Sequence, residues 1–532
     1  MLRKIVFVLL TSAAMFAASS VGFCDQATSV SQYGITWTFD KPYQVGQFVT
    51  GDYWVVGPVT IVSVTPAPGP APGTEPKTET KSRYGASALV DDKLMRNGSM
   101  IIDGPTKEGS GWDKEGYDSR PNRSYDPALT VAFPCKLNPN QSLISSVSAE
   151  KYDEKGNLST EMIDGMTWTG ANGKPTRIFL AGEKGGLALE SAAVLTSLDK
   201  APPPDAFRPP YAGKEKPLYE TKDIRWDLLP KGLAPTPSMP DWQAMERIFQ
   251  RPWLDHEGSW IVQMWAPGSN QPNYGREFTR LTGYVGMMLL FDEPQAKKQK
   301  LMNEYLQLGI DLSGLARSGR NWFPDGGHFQ GRKWPILFAS IMLNDPAIRA
   351  FPPVDPNRPV YGYKIGPTEN GAQPTTLFQE DLVTYYGKGG DGQSVLLQLV
   401  CHTGAQMPFM EIPKSQWTKG HEWLFSYCSM NAESAPGAAL AALLMNAKAM
   451  WNHDAFFDLE DYWMGPRTVI NQAPSWAPRP CTRTVDPFFE EVWDAYRAKA
   501  PEQPGGKDNL KWVWNDDKRS GHFVQNPPVK SP

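Results

Sequence analysis

The spacing of apolar positions changes once along the chain, near residue 200. Before it, short runs rich in Val, Ile, Thr and aromatic residues recur between Gly, Pro and Asp: YGITWTFDK, GQFVTGDYWVVG, VTIVSVTP, SMIIDG, LTVAFPCKL, SLISSVSAE, TRIFLAG and AAVLTSL. Such runs predict many short strands, and the fold expected over residues 25–200 is an antiparallel β-sandwich. The segment TPAPGPAPGTEPKTETK (65–81) reads as a Pro-rich loop. Residues 201–240 hold too many prolines for regular structure. They predict a linker that wraps a surface, anchored by Phe207, Tyr211, Trp226 and Leu228.

From about residue 241 the period becomes helical. Phe278, Leu281, Val285, Met288 and Leu289 share one face, and Leu301, Tyr305, Leu312 and Leu315 mark a second helix. A third is expected over 335–343, with Pro335 in the first turn, where its missing N–H is harmless. GAALAALLMNAKAMW (437–451) is apolar all round and predicts one inner helix. DAFFDLEDYWM and FFEEVWDAYRAKA complete at least six helices over 241–505, and residues 506–532 read as a polar tail. The class is α+β, strands first and helices after.

MLRK followed by IVFVLLTSAAMFAA has the basic and apolar regions of a secretory leader spanning residues 1–24. Phe23 stands where a lipoprotein signal wants a small residue, so anchoring at Cys24 is the less favoured outcome. An exported protein, periplasmic or extracellular and without a membrane span, is expected. Loss of the leader removes Arg3 and Lys4 and no acid, moving the formal charge from −4 to −6. That balance disfavours nucleic acid as partner. The five cysteines show no metal-ligand spacing, and Cys401–Cys428 is the first disulfide to expect.

NYGREFTRLTGYVGMMLLF, LGIDLSG, GGHFQGRKWPILFAS and LLMNAKAMWNHDAFFDLEDYWM resemble helical pieces of the (α/α)-toroid carbohydrate-active enzymes, in particular polysaccharide lyases of the alginate and heparinase type. The resemblance covers roughly the last half of the chain. It implies a C-terminal toroid and β-elimination at a uronic acid. Such chemistry needs the substrate carboxylate neutralised, a Tyr or His base for the C5 proton, and an acid for the leaving oxygen.

Two clusters could supply those groups. In NWFPDGGHFQGRKWPILFAS, His328 sits in a glycine-rich loop, and Gln330, Arg332 and Lys333 crowd the mouth of a helix whose dipole is already positive. Either an anion visits that mouth, or Arg332 pairs with an internal acid and Lys333 is solvated. In QPNYGREF, Asn273 is a candidate helix cap, Arg276 and Glu277 a candidate ion pair, and Tyr274 a candidate acid or base. The catalytic set expected is therefore His328, Tyr274, Arg276 and Arg332. Asn273, Gln330, Lys333, Trp322, Trp334, His256 and Trp253 are the expected substrate-binding residues, the tryptophans as platforms for sugar faces or simply as core.

No G-x-S-x-G, H-E-x-x-H, phosphate loop or EF-hand loop occurs. No cofactor is expected, while a structural Ca²⁺ and the oligomeric state stay open. The expected partner is an acidic polysaccharide. The rival readings are a glycoside hydrolase on the same scaffold, drawing on Glu277, Asp325 and Asp255, and a non-catalytic exported glycan-binding protein.

Overall fold

The computed structural model describes residues 25–69, 80–81, 87–88, 95–104, 114–119, 125–149, 167–169, 175–177, 188–258, 262–322, 327–353, 365–366, 375–382, 384–388, 394–398, 431–465, 486–501, 503, 510–514 and 521–525. Residues 1–24, where a leader is expected, most of the Pro-rich loop, and Trp260, Asp325, Cys401, Cys428 and Cys481 lie outside the described residues.

Eight strands form one mixed sheet: β1 (Asp25–Gln32), β2 (Ile35–Gln47), β3 (Tyr53–Val56), β4 (Val59–Thr65), β5 (Gly98–Ile101), β6 (Cys135–Leu137), β7 (Gln141–Ser148) and β8 (Leu189–Leu198). The order is β5-β7-β8-β3-β2-β4-β6, with β1 added on β2. All neighbours are antiparallel except β8 and β3, where Leu195 faces Tyr53 in a parallel register. The expectation of a wholly antiparallel sheet is corrected at that pair. More than a hundred residues separate the two strands, ample for the crossover that a parallel pair requires. LTVAFPCKL yields only the short β6, preceded by a 3₁₀ turn at Pro127–Leu129.

Alternation along β8 shows how the sheet is used. Ala193 and Leu195 join a core with Trp37, Ile61, Leu137 and Leu143, whereas Ala192 and Val194 join the core of the helices. Successive side chains point to opposite faces, so β8 is apolar on both sides because both sides are covered. Trp37 on β2 donates its indole N–H to Ser145 on β7, 2.9 Å away, although two strands lie between them in the sheet. The sheet is therefore curled around its own core.

Ten helices follow among the described residues: α1 (Trp242–Phe249), α2 (Val262–Trp265), α3 (Gly275–Met288), α4 (Gln295–Arg317), α5 (Lys333–Met342), α6 (Gln379–Leu382), α7 (Pro436–Leu444), α8 (Lys448–Trp451), α9 (Asp454–Met464) and α10 (Pro487–Tyr496). The single helix expected over 437–451 is two, because Asn446 adopts a left-handed φ of 55° between them. The polar tail holds the strands Leu510–Trp514 and Gly521–Gln525, paired antiparallel.

The segment 201–240 touches both the sheet domain and the helices. Phe207 and Tyr211 are fully buried, Trp226 packs at the core margin, and Leu228 is exposed, with Leu229 taking the inward position instead. Arg208 pins it: Nε donates to Asp52 at 2.7 Å, and Nη1 and Nη2 donate to Asp311 on α4 at 2.9 and 2.5 Å. One guanidinium thus ties the β2–β3 turn, the linker and a helix together.

Candidate functional site

The excess positive charge at the mouth of α5 is answered from inside. Asp255 takes Arg332 Nη2 at 2.8 Å and Nε at 3.0 Å, and both residues are at most 3% exposed. Trp322 donates its indole N–H to the same carboxylate at 2.6 Å. Lys333 is buried against Asp381, and burial lowers its pKa although Asp381 opposes the shift. Glu380 accepts the backbone N–H groups of Gly331 and Lys333 at 2.7 and 3.1 Å, placing an acid at the helix start. These contacts correct two expectations. Arg332 is not available to a substrate carboxylate, and Lys333 is neither solvated nor a substrate ligand.

Two other residues of the expected catalytic set, Tyr274 and His328, come into contact. Tyr274 is the N-terminal flanking residue of α3, and His328 lies in the loop before α5. Their rings meet edge to face, centroids 4.7 Å apart, both half-buried. The approach depends on Gly275, since a Cβ there would lie 2.2 Å from the Gly327 carbonyl oxygen and 2.5 Å from that of His328. Asn273 is not the cap, because that place belongs to Tyr274, which makes no side-chain cap bond.

Arg276 donates to Glu277 at 2.6 Å and lies 3.6 Å from Glu433, with 29% of its side chain exposed. Arg280, one turn further along α3, approaches the same two carboxylates at 3.9 and 3.7 Å. Arg280 was legible in principle from its i+4 spacing to Arg276. Glu433, about 150 residues downstream, carried no such signal.

A third group lies where sheet and helices meet. His256 is 3% exposed, 3.9 Å from Glu115, and packs edge to face on Tyr117 at 5.7 Å. Among the described residues, neither imidazole nitrogen has a hydrogen-bond partner, nor have the Tyr117 hydroxyl or the Trp265 indole N–H. Burial pushes the His256 pKa down to about 3, so the ring is neutral. Asp255, its chain neighbour, holds Arg332, and Arg332 Nη1 donates to the His328 carbonyl at 3.0 Å. The Asp255–Arg332 pair thus lies between the two histidines.

The expected aromatic platforms are core instead. Trp322 stacks on Phe378 at 5.3 Å, Trp334 on Trp451 at 6.4 Å, and Trp253 donates to the Ile248 carbonyl. All three are at most 3% exposed. Gln330 is also buried, its amide donating to the Asn431 carbonyl at 2.9 Å. The packed helices have much interior to fill, and large flat rings fill it well.

No protein-family model, curated protein or solved structure matches this chain. What the site can do rests on its own geometry. The described residues place a phenol, an imidazole and a partly exposed guanidinium together at one end of α3, a set able to move protons beside a carboxylate. Among the described residues, no three of His, Cys, Asp and Glu come together as metal ligands.

Proposed function

We propose that the protein is an exported carbohydrate-active enzyme that cleaves an acidic, uronate-containing polysaccharide by β-elimination. The observation that carries this reading is the meeting of Tyr274 and His328, from two separate elements, in half-exposed contact. Removal of the C5 proton needs one positioned base, and departure of the glycosidic oxygen needs one positioned acid. Tyr274 and His328 take those two roles. Arg276 takes the substrate carboxylate, which Arg332 cannot reach past Asp255. The packing of α3 on α7 and of α4 on α5 supports a toroid for the helices, and the curled sheet enclosing its own core supports a sandwich-like strand domain.

The test is incubation of the leader-free protein with a panel of uronate polymers, followed by the ultraviolet absorbance of unsaturated uronate ends. Wild type should generate it, and Tyr274→Phe and His328→Ala should each lower kcat by about 10²–10⁴-fold. New reducing ends without that absorbance would identify a hydrolase. Binding without any product would identify a glycan-binding protein.

A further inference from the structure

A pocket at the junction of sheet, linker and helices lies apart from these residues. Asp52, Arg208, Arg251, Glu304, Gln307 and Asp311 line it, and its volume of about 10 Å³ suits one water-sized particle. Glu304 and Gln307 stand three residues apart on α4 and so lie on one face. They are only 4% and 5% exposed, yet among the described residues Glu304 Oε2 and Gln307 Oε1 have no hydrogen-bond partner. Gln32, whose amide donates to Asp52 at 3.3 Å, leaves its own Oε1 without a partner too.

Among the described residues, the orphaned atoms at this junction are all oxygens. A buried acceptor left unmade costs roughly 1–3 kcal/mol, and what would satisfy several of them at once is a donor or a cation. Arg208 is shared between the carboxylates of Asp52 and Asp311, and Arg251 on the pocket wall offsets the second, so the negative charge open to a cation is that of Glu304. A divalent metal would want more carboxylates than one free glutamate supplies.

We propose that this pocket binds a single monovalent cation of sodium or potassium size, held by Glu304 Oε2 and the Gln307 amide oxygen. Uptake releases a proton: the Glu304 acid loses H⁺ and its carboxylate takes the cation, leaving the net charge of the site unchanged. The fixed charges facing Glu304 are Lys300 on the same helix, at 4.0 Å, and Glu246 from α1. Asp52, Arg208 and Arg251 face the pocket from the β2–β3 turn, the linker and the segment after α1. Burial pushes the Glu304 carboxyl up to about 9, so binding strengthens as pH rises toward that value.

The experiment compares thermal unfolding of the full leader-free protein in sodium, potassium and tetramethylammonium chloride at equal ionic strength, between mildly acidic and mildly alkaline pH. The tetramethyl ion is too large for the space. Sodium or potassium should raise the midpoint by about 2 °C over tetramethylammonium. The gap should widen with pH and vanish in Glu304→Gln. Sodium NMR linewidths on wild type supply a reading free of any variant, with broadening that potassium competes away. Equal midpoints in all three salts, a preference retained by Glu304→Gln, or no sodium broadening would each overturn the proposal.

Discussion

Asp255 and Arg332, 77 residues apart in sequence, form a two-pronged ion pair with both partners out of solvent. Phe278 lies flat beneath the guanidinium at 3.7 Å. A buried pair of this kind is costly to break from one side, because the remaining charge cannot be hydrated. Asp255→Ala should destabilise the protein by about 3–5 kcal/mol. Replacing both partners together, Asp255→Leu with Arg332→Met, should cost less than Asp255→Ala alone. Urea unfolding of the three variants checks the order, and a double variant worse than the single would contradict it.

His256 and Glu304 should give the stability curve opposite slopes at its two ends. The folded pKa of His256 is depressed to about 3, while the unfolded chain titrates near 6.5. Below pH 6.5 the unfolded state therefore binds more protons, and stability falls as pH drops toward 3, by up to about 1.4 kcal/mol per unit. His256→Phe should flatten that acid arm in urea titrations across the same window.

For Glu304 the sign reverses. Its folded pKa is raised to about 9 against an unfolded value of 4.5. The folded state holds the extra proton between those values, so stability falls as pH rises from 4.5 to 9. In tetramethylammonium buffer, Glu304→Gln should be more stable than wild type at pH above 7, with the gap closing toward pH 4.5. A wild type unchanged across that range would show that the buried carboxyl is not protonated there.

Gly275→Ala should act on the candidate site through the backbone. Its Cβ would strike the carbonyl oxygens of Gly327 and His328, atoms of a loop that cannot yield as a flexible side chain would. A stability loss of about 1–3 kcal/mol is expected, with displacement of the His328 ring from Tyr274. Denaturant unfolding reads the first, and the histidine ring NMR shifts read the second. A variant with wild-type stability and unchanged His328 signals would mean that α3 is not seated on this loop.

Much of the fold was open to inspection in the chain itself. The switch from alternating to helical spacing near residue 200, the faces of α3 and α4, and the anchors Phe207 and Tyr211 follow from local patterns, because burial imposes a period on each element. The parallel pairing of β8 with β3 does not, since nothing local encodes which distant strand lies alongside. The division of 437–451 at Asn446 was visible only as one residue tolerant of positive φ. At the site, sequence brought forward Tyr274, His328, Arg276, Arg332 and His256 as residues with chemistry. Only the tertiary structure decided which of the cations are taken up by internal carboxylates. Asp255 lies 77 positions before Arg332 and Asp381 48 positions after Lys333, and in a low-dielectric interior the nearest carboxylate determines what a cation can do. Of the two readings the sequence left open for that helix mouth, a visiting anion or an internal acid, the structure supplies the internal acid.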